Sequence, residues 1–249
     1  MKYKDLLESG EVVYLENARF KHFKNPVTSE RYFSNYISYK TMPSLTELED
    51  DLSYLAHEQE RYSSDFSFLF FAENQDFSRD IASYLDSQGF ICSKHLIFTN
   101  LVEHLHLQTR DLGRIRIVHL DEVYLEAYLQ VEYRSHLKYG KKYADQMLTD
   151  NRAHCLSNGS KIYLAMDGEN IIGSVAAWLF EGYVEVDNYH VDPSYQGRGI
   201  GSALQLAAHE GQNKVILIAE EENRAMYQHQ GYKEVAWYWT ALRSDNPNR

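Results

Sequence analysis

The fold of this chain can be predicted from one stretch, Val191-Asp192-Pro193-Ser194-Tyr195-Gln196-Gly197-Arg198-Gly199-Ile200-Gly201. It lies between a predicted strand, Tyr183 to Val191, and a predicted helix, about Ser202 to Glu210. Glycines at a strand-to-helix turn let the backbone approach a ligand closely, and the first N–H groups of a helix attract anions. The stretch therefore predicts a phosphate-binding loop.

Two common phosphate loops do not fit these residues. The GxxxxGK[ST] loop is absent because no lysine follows Gly201. A dinucleotide-binding loop is suggested by Gly197-Arg198-Gly199 and by Glu220, which ends a predicted strand over Val215 to Ala219. However, the third glycine comes one residue early, and the 29 residues after Glu220 are too few for the remaining units of that fold.

Three predicted strands precede the loop, over Lys161 to Met166, Asn170 to Phe180 and Tyr183 to Val191. Short turns join them, so we expect an antiparallel meander. Upstream, the pattern predicts a strand over Ile115 to Leu120 and helices over 122–138 and 142–156.

The loop resembles the pyrophosphate loop of the GNAT family of acyl-CoA N-acyltransferases, [QR]-x-x-G-x-[GA], which Gln196, Gly199 and Gly201 match. A second similar element follows the next strand: Asn223-Arg224-Ala225-Met226-Tyr227, then Gly231-Tyr232. The resemblance covers about residues 114–242. It implies an α/β (α+β) GNAT fold, in which helices flank a mixed, mostly antiparallel central sheet.

The resemblance implies acetyl-CoA as the cosubstrate and no metal. The cofactor-binding positions that it implies are Val191, Gln196, Gly197, Arg198, Gly199, Ile200, Gly201, Ser202 and Asn223. The implied reaction is direct transfer of an acetyl group to a primary amine of a small molecule or peptide. The alternative is a non-catalytic acyl-CoA-binding regulatory module.

Amide formation needs a neutral amine, whereas an alkylammonium has a pKa of about 10. Family members with a carboxylate base carry a Glu on the strand before the loop, and Glu185 stands at that position, 14 residues before Gly199. Strand alternation predicts that Glu185, Asp187 and Tyr189 share one face. Asp187 and a water chain remain alternatives to Glu185. Tyr227 matches the tyrosine that protonates the leaving thiolate.

The first half shows part of the same pattern of predicted strands, helices and turns as the second half. Strands are predicted over Arg31 to Lys40, Phe66 to Ala72 and Phe90 to Phe98, with a capping box at Ser44 and Glu47 that starts a helix to about Arg61. Gln88-Gly89-Phe90 resembles Gln230-Gly231-Tyr232, but residues 40–66 contain no glycine. We therefore predict a catalytic domain over 111–249 and, over 1–110, a degenerate GNAT-like domain that does not bind coenzyme. An unrelated accessory α/β domain is the alternative.

Composition limits the partners. The net charge is −11, which disfavours nucleic-acid binding and favours a cationic amine. Two cysteines predict neither a disulfide framework nor a zinc site, and the N-terminus lacks the pattern of a secretion signal. We expect a cytoplasmic protein that makes no membrane contact and is a monomer or homodimer.

Overall fold

The computed structural model describes residues 2–60, 66–108, 110–157, 159–180 and 182–244. The chain divides into two compact units. The first contains residues 1–96, 136–147 and 236–249, and the second contains residues 97–135 and 148–235. No helix within the described residues is long and apolar enough to cross a membrane.

The first unit is built on a mixed sheet. Its strands are β1 (Val13–Glu16), β2 (Phe20–Phe23), β3 (Tyr36–Tyr39), β4 (Phe66–Phe70), the first part of β5 (Ile91–Leu101) and most of β11 (Lys233–Ser244). The strand order is β1-β2-β3-β4-β11-β5, with β3 and β4 parallel. The helices of the first half are α1 (Tyr3–Leu7), α2 (Leu45–Gln59) and α3 (Arg79–Ser87).

The core of the first unit follows the predicted pattern. Ser44 and Glu47 form the predicted capping box at the start of α2. Leu48, Leu52 and Leu55 of this helix are buried against Ile37 and Leu69, among others. Every residue of β4 is buried, as its continuous apolar sequence predicts. The predicted end of α2 at Arg61 lies outside the described residues.

The second unit contains the predicted meander. Its strands are β6 (Ile115–His119), β7 (Ser160–Asp167), β8 (Asn170–Phe180), β9 (Tyr183–Val191) and β10 (Lys214–Glu220), followed by the last part of β5. Strands β6 to β9 pair antiparallel, and β10 pairs parallel with β9. Its helices include α4 (Glu122–His136), the end of α5 (Lys141–His154), α6 (Ile200–Ala208) and α7 (Arg224–His229).

Two predictions for the first half are wrong in detail. The strand predicted over Arg31 to Lys40 starts only at Tyr36, because Tyr32–Ser34 form a 3₁₀ turn. Strands β1 and β2 were not predicted. All four residues of β1 are exposed, so β1 shows no alternation between buried and exposed positions.

The two halves repeat one connection. In the first unit β3, α2 and β4 form a strand-helix-strand crossover between parallel neighbours, and β9, α6 and β10 do so in the second. A Gln-Gly-aromatic turn then follows α3 and α7, with Gly89 at φ 75° and Gly231 at φ 92°. The strands after these turns, β5 and β11, are each divided between the two units. Residues 236–244 of β11 belong to the first unit, and residues 97–101 of β5 belong to the second.

Candidate functional site

The glycine loop lies between β9 and α6, as predicted. Gly197 and Gly199 have φ of 76° and 86°, a region that side-chain-bearing residues rarely adopt, and Gly199 is the N-cap residue immediately before α6. Gly201 lies in the first turn of α6. A Cβ at Gly201 would lie 1.8 Å from the hydroxyl oxygen of Tyr189. The three glycines are therefore required by backbone geometry or by space.

Hydrogen bonds from neighbouring side chains fix the loop. Gln196 Nε2 donates to the carbonyl of Val191 at 3.1 Å, and Arg198 Nη2 donates to the carbonyl of Ser194 at 3.0 Å. The carboxylate of Asp192 accepts from the N–H and the hydroxyl of Ser194, and these bonds lower the pKa of Asp192. The loop is thus held in place by the protein itself.

A cavity of about 520 Å³ opens at this loop. None of its described lining residues is Asp or Glu, in a chain that has 36 of them. The wall combines the start of α6 with basic and neutral polar side chains, and such a wall suits an anionic ligand. The lining residues are His106, Gln108, Arg110, Tyr189, His190, Val191, Tyr195, Gln196, Gly197, Gly199, Ile200, Gly201, Ser202, Met226, His229 and Gln230.

Seven of the nine predicted cofactor-binding residues line this cavity: Val191, Gln196, Gly197, Gly199, Ile200, Gly201 and Ser202. Arg198 and Asn223 do not. The guanidinium of Arg198 lies 4.9 Å from the ring centre of Tyr195 and faces a smaller neighbouring cavity. Asn223 is exposed at the start of α7. Roles for these two residues stay predictions.

Tyr227 is half-buried on α7. Its ring centre lies 5.6 Å from that of Phe98 and 5.5 Å from that of Tyr232. Burial, and to a lesser extent the nearby Tyr189, raise the pKa of Tyr227. The hydroxyl is therefore protonated at neutral pH, as that of an ordinary tyrosine is, and a proton donor must be protonated. Its neighbour Met226 lines the cavity, whereas Tyr227 does not.

A bulge in β9 corrects one prediction about the acceptor side. Opposite β8, Asp187 pairs with Ala176, but Ser174 pairs with His190, so β9 carries one extra residue between these pairs. Asn188 has φ 45° at this point. Tyr189 therefore does not share a face with Glu185 and Asp187.

The register shows which residue takes the place of Tyr189 on the face of Glu185 and Asp187. Paired residues of neighbouring strands share a face, so His190 joins Glu185 and Asp187. Tyr189 lies on the opposite face, where its hydroxyl meets α6 at Gly201. The bulge leaves His190 both in the cavity wall and on the carboxylate face.

Sequence reasoning missed a buried carboxylate beside this face. Glu132 of α4 is 8% exposed, and its Oε2 accepts a hydrogen bond from Asn188 Nδ2 at 3.2 Å. Burial raises the pKa of Glu132, an effect that the Asn188 bond and nearby His190 oppose. The available sequence signal was an acidic residue, Glu132, on the buried face of the helix predicted over 122–138.

The residues just before the predicted catalytic domain were also missed as part of the site, because the short polar stretch Thr109 to Gly113 suggested only a domain boundary. His106, Gln108 and Arg110 line the cavity. The domain division predicted there stays a prediction, and Thr109 lies outside the described residues. Among the described residues, no cluster of His, Cys, Asp and Glu could hold a metal ion.

Comparisons with known proteins agree with this architecture. Residues 158–234 match the family model described as the acetyltransferase (GNAT) domain, and residues 1–96 match a domain of unknown function (DUF5613). No match is found among curated proteins. The chain is similar to a functionally unknown conserved protein from Staphylococcus epidermidis, at 20% identity over 99% of this chain and 98% of that one, with a TM-score of 0.85.

Two other solved structures connect the fold with the family. A GCN5-related N-acetyltransferase from Kribbella flavida is 11% identical over 98% of this chain and 93% of that one, with a TM-score of 0.65. A tandem GNAT protein from the clavulanic acid biosynthesis pathway is 12% identical over 85% and 76%, with a TM-score of 0.54. Residues 158–234 thus match a GNAT domain, as the loop predicted, and the fold of the chain is similar to that of tandem GNAT proteins.

Proposed function

We propose that this chain transfers an acetyl group from acetyl-CoA to the primary amine of a small molecule or peptide. The observation that carries the proposal is the acid-free cavity at the 196–201 loop, whose wall includes residues of the start of α6. The acid-free wall and the start of α6 fit the pyrophosphate of the coenzyme. Acetyl-CoA, when bound, supplies a thioester carbonyl for attack.

Glu185 and Tyr227 have separate roles in the proposed proton transfers. Glu185, on the face that also holds Asp187 and His190, accepts a proton from the substrate ammonium. The neutral amine then forms the new C–N bond as the C–S bond breaks. Tyr227 gives its proton to the departing sulfur and is reprotonated from solvent. In the balance, Glu185 passes the first proton to solvent, the nitrogen loses its second proton to solvent as the amide forms, and solvent returns one proton to Tyr227.

The substrate is expected to be cationic. Its ammonium would approach the carboxylate face of β9, in a chain of net charge −11. A small molecule and a peptide amino terminus share this chemistry. The cytoplasmic location and the oligomeric state stay predictions.

The test is thiol release from acetyl-CoA in the presence of a panel of small amines and peptides. We expect release that depends on an added amine and a product that carries one acetyl group. Glu185→Gln should depress the rising limb of the rate-against-pH curve. Asp187→Asn tests the alternative base on the same face, and loss of the rising limb in that variant alone would assign the base to Asp187. Acetyl-CoA binding without transfer to any amine would instead support the regulatory module.

A further inference from the structure

Arg110 lies against the glycine loop although it is 86 residues from the loop in sequence. Its Nη1 donates to the carbonyl of Gly197 at 2.8 Å. A Cβ at Gly199 would lie 3.0 to 3.1 Å from the Cβ, Cγ and Cδ atoms of Arg110. The aliphatic stem of Arg110 therefore packs on the loop, and the guanidinium reaches its first glycine.

Arg110 also has a special place in the cavity wall. It is the only Arg or Lys among the described lining residues. The ligand proposed for this cavity carries a pyrophosphate and a 3′-phosphate, and the chain around it is acidic overall. A fixed cation is therefore needed to offset repulsion between the chain and this ligand.

The guanidinium of Arg110 has further N–H donors that can bind a ligand. Its contacts are the Gly197 carbonyl and a long 3.5 Å bond from Nη2 to Gln108 Oε1. A guanidinium has five N–H donors arranged in a fork that matches the oxygens of a phosphate. Arg110 is exposed, so a phosphate can reach the remaining donors.

We propose that Arg110 is a phosphate-binding residue of the coenzyme site, contributed by the segment that precedes the GNAT domain match. This inference rests on the proposed function, because it takes a coenzyme A thioester as the ligand. Arg110 would bind a phosphate group of the coenzyme, in either the pyrophosphate at the loop or the 3′-phosphate. His106, Gln108 and Arg110 are then part of the wall of the active site.

The experiment measures the Kd of coenzyme A and of 3′-dephospho-coenzyme A for the full chain and for Arg110→Gln, Arg110→Lys and Arg116→Gln. Arg116→Gln is the matched control, because Arg116 is equally exposed on β6 and is absent from the cavity wall. Arg110→Gln should raise the Kd of coenzyme A by about 10- to 100-fold, as expected when a hydrogen bond to a charged group is lost. The Kd for Arg110→Lys should lie between those of the unmutated chain and Arg110→Gln, and the Kd for Arg116→Gln should change little.

The second ligand distinguishes the two phosphates. If Arg110 binds the 3′-phosphate, the effect of Arg110→Gln disappears with 3′-dephospho-coenzyme A, and if it binds the pyrophosphate, the effect persists. Arg110→Gln should also reduce the dependence of Kd on salt. Equal effects of Arg110→Gln and Arg116→Gln, or an unchanged salt dependence, would overturn the inference. Failure of the unmutated chain to bind coenzyme A would instead overturn the proposed function.

Discussion

Asn188 joins the bulge of β9 to α4 by donating from Nδ2 to Oε2 of Glu132 over 3.2 Å. The backbone of Asn188 is left-handed, with φ 45°, which Asn tolerates better than most residues. The bond therefore links a strained backbone position to a buried carboxylate. Because this bulge moves Tyr189 off the carboxylate face and places His190 on it, the bond supports the arrangement of the whole acceptor side.

Replacing Asn188 separates the backbone contribution from that of the hydrogen bond. Asn188→Ala loses the bond and also bears the left-handed strain, so we expect the free energy of unfolding to fall by about 1–3 kcal/mol. Asn188→Gly loses only the bond, so its free energy of unfolding should fall by less. Urea titrations of the two variants measure the difference. Equal losses would show that the backbone at this position is not strained.

The buried Glu132 predicts a pH dependence. Burial raises its pKa above the ordinary value of 4.5, so the folded protein holds this proton more tightly than the unfolded chain does. The contribution of the carboxyl group to stability is then present in full below pH 4.5 and is lost as pH rises through the folded pKa. Stability relative to Glu132→Gln, which cannot titrate, should therefore fall as pH rises above 4.5. A constant or rising difference would contradict this assignment.

Gly201 provides a steric test of the loop. Gly201→Ala places a methyl group 1.8 Å from the Tyr189 hydroxyl oxygen, so we expect the Kd of acetyl-CoA to rise by about 10-fold or more as the loop shifts. Tyr189→Phe removes that oxygen and leaves the nearest ring carbon at 3.0 Å, so the double variant should recover part of the affinity. Gly159→Ala, where a Cβ meets no atom within 4 Å, is the control. Equal Kd values for all variants would exclude the loop from the binding site.

Sequence predicts the loop and the meander well, because both depend on local signals. Gly197 and Gly199 occupy positions that need positive φ, and the short turns between β7, β8 and β9 fix an antiparallel order. The bulge could not be predicted, because one extra residue at Asn188 reverses every later side chain without changing the composition of the strand. Arg110 was missed for a different reason. Its contact with Gly197 is long-range, and the neighbouring residues that the structure describes, 105–108 and 111–114, form no helix or strand.

Tyr227 is the proposed donor to the leaving sulfur. Tyr227→Phe keeps the ring contacts with Phe98 and Tyr232 and removes only the hydroxyl. Turnover should fall by about 10²–10⁴-fold, the usual contribution of general acid catalysis, while the Kd of acetyl-CoA stays within a few-fold. Single-turnover kinetics measure the chemical step directly. An unchanged chemical rate would assign Tyr227 to packing only.

The two halves of the chain share a strand-helix-strand connection but begin their helices differently. In α2, the Ser44 hydroxyl oxygen accepts from the Glu47 N–H at 3.3 Å, and the Glu47 carboxylate accepts from the Ser44 N–H at 2.8 Å. In α6, the residue at the helix start is Gly199, which has no side chain to cap the helix. We therefore predict that only the second half binds coenzyme.

Calorimetric titration of the full chain with acetyl-CoA tests this account most directly. We predict one acetyl-CoA bound per chain, with binding lost on Gly199→Val, because valine at φ 86° is strained and would crowd Arg110. A stoichiometry of two per chain, or unchanged binding by Gly199→Val, would contradict the placement of the coenzyme at the 196–201 loop.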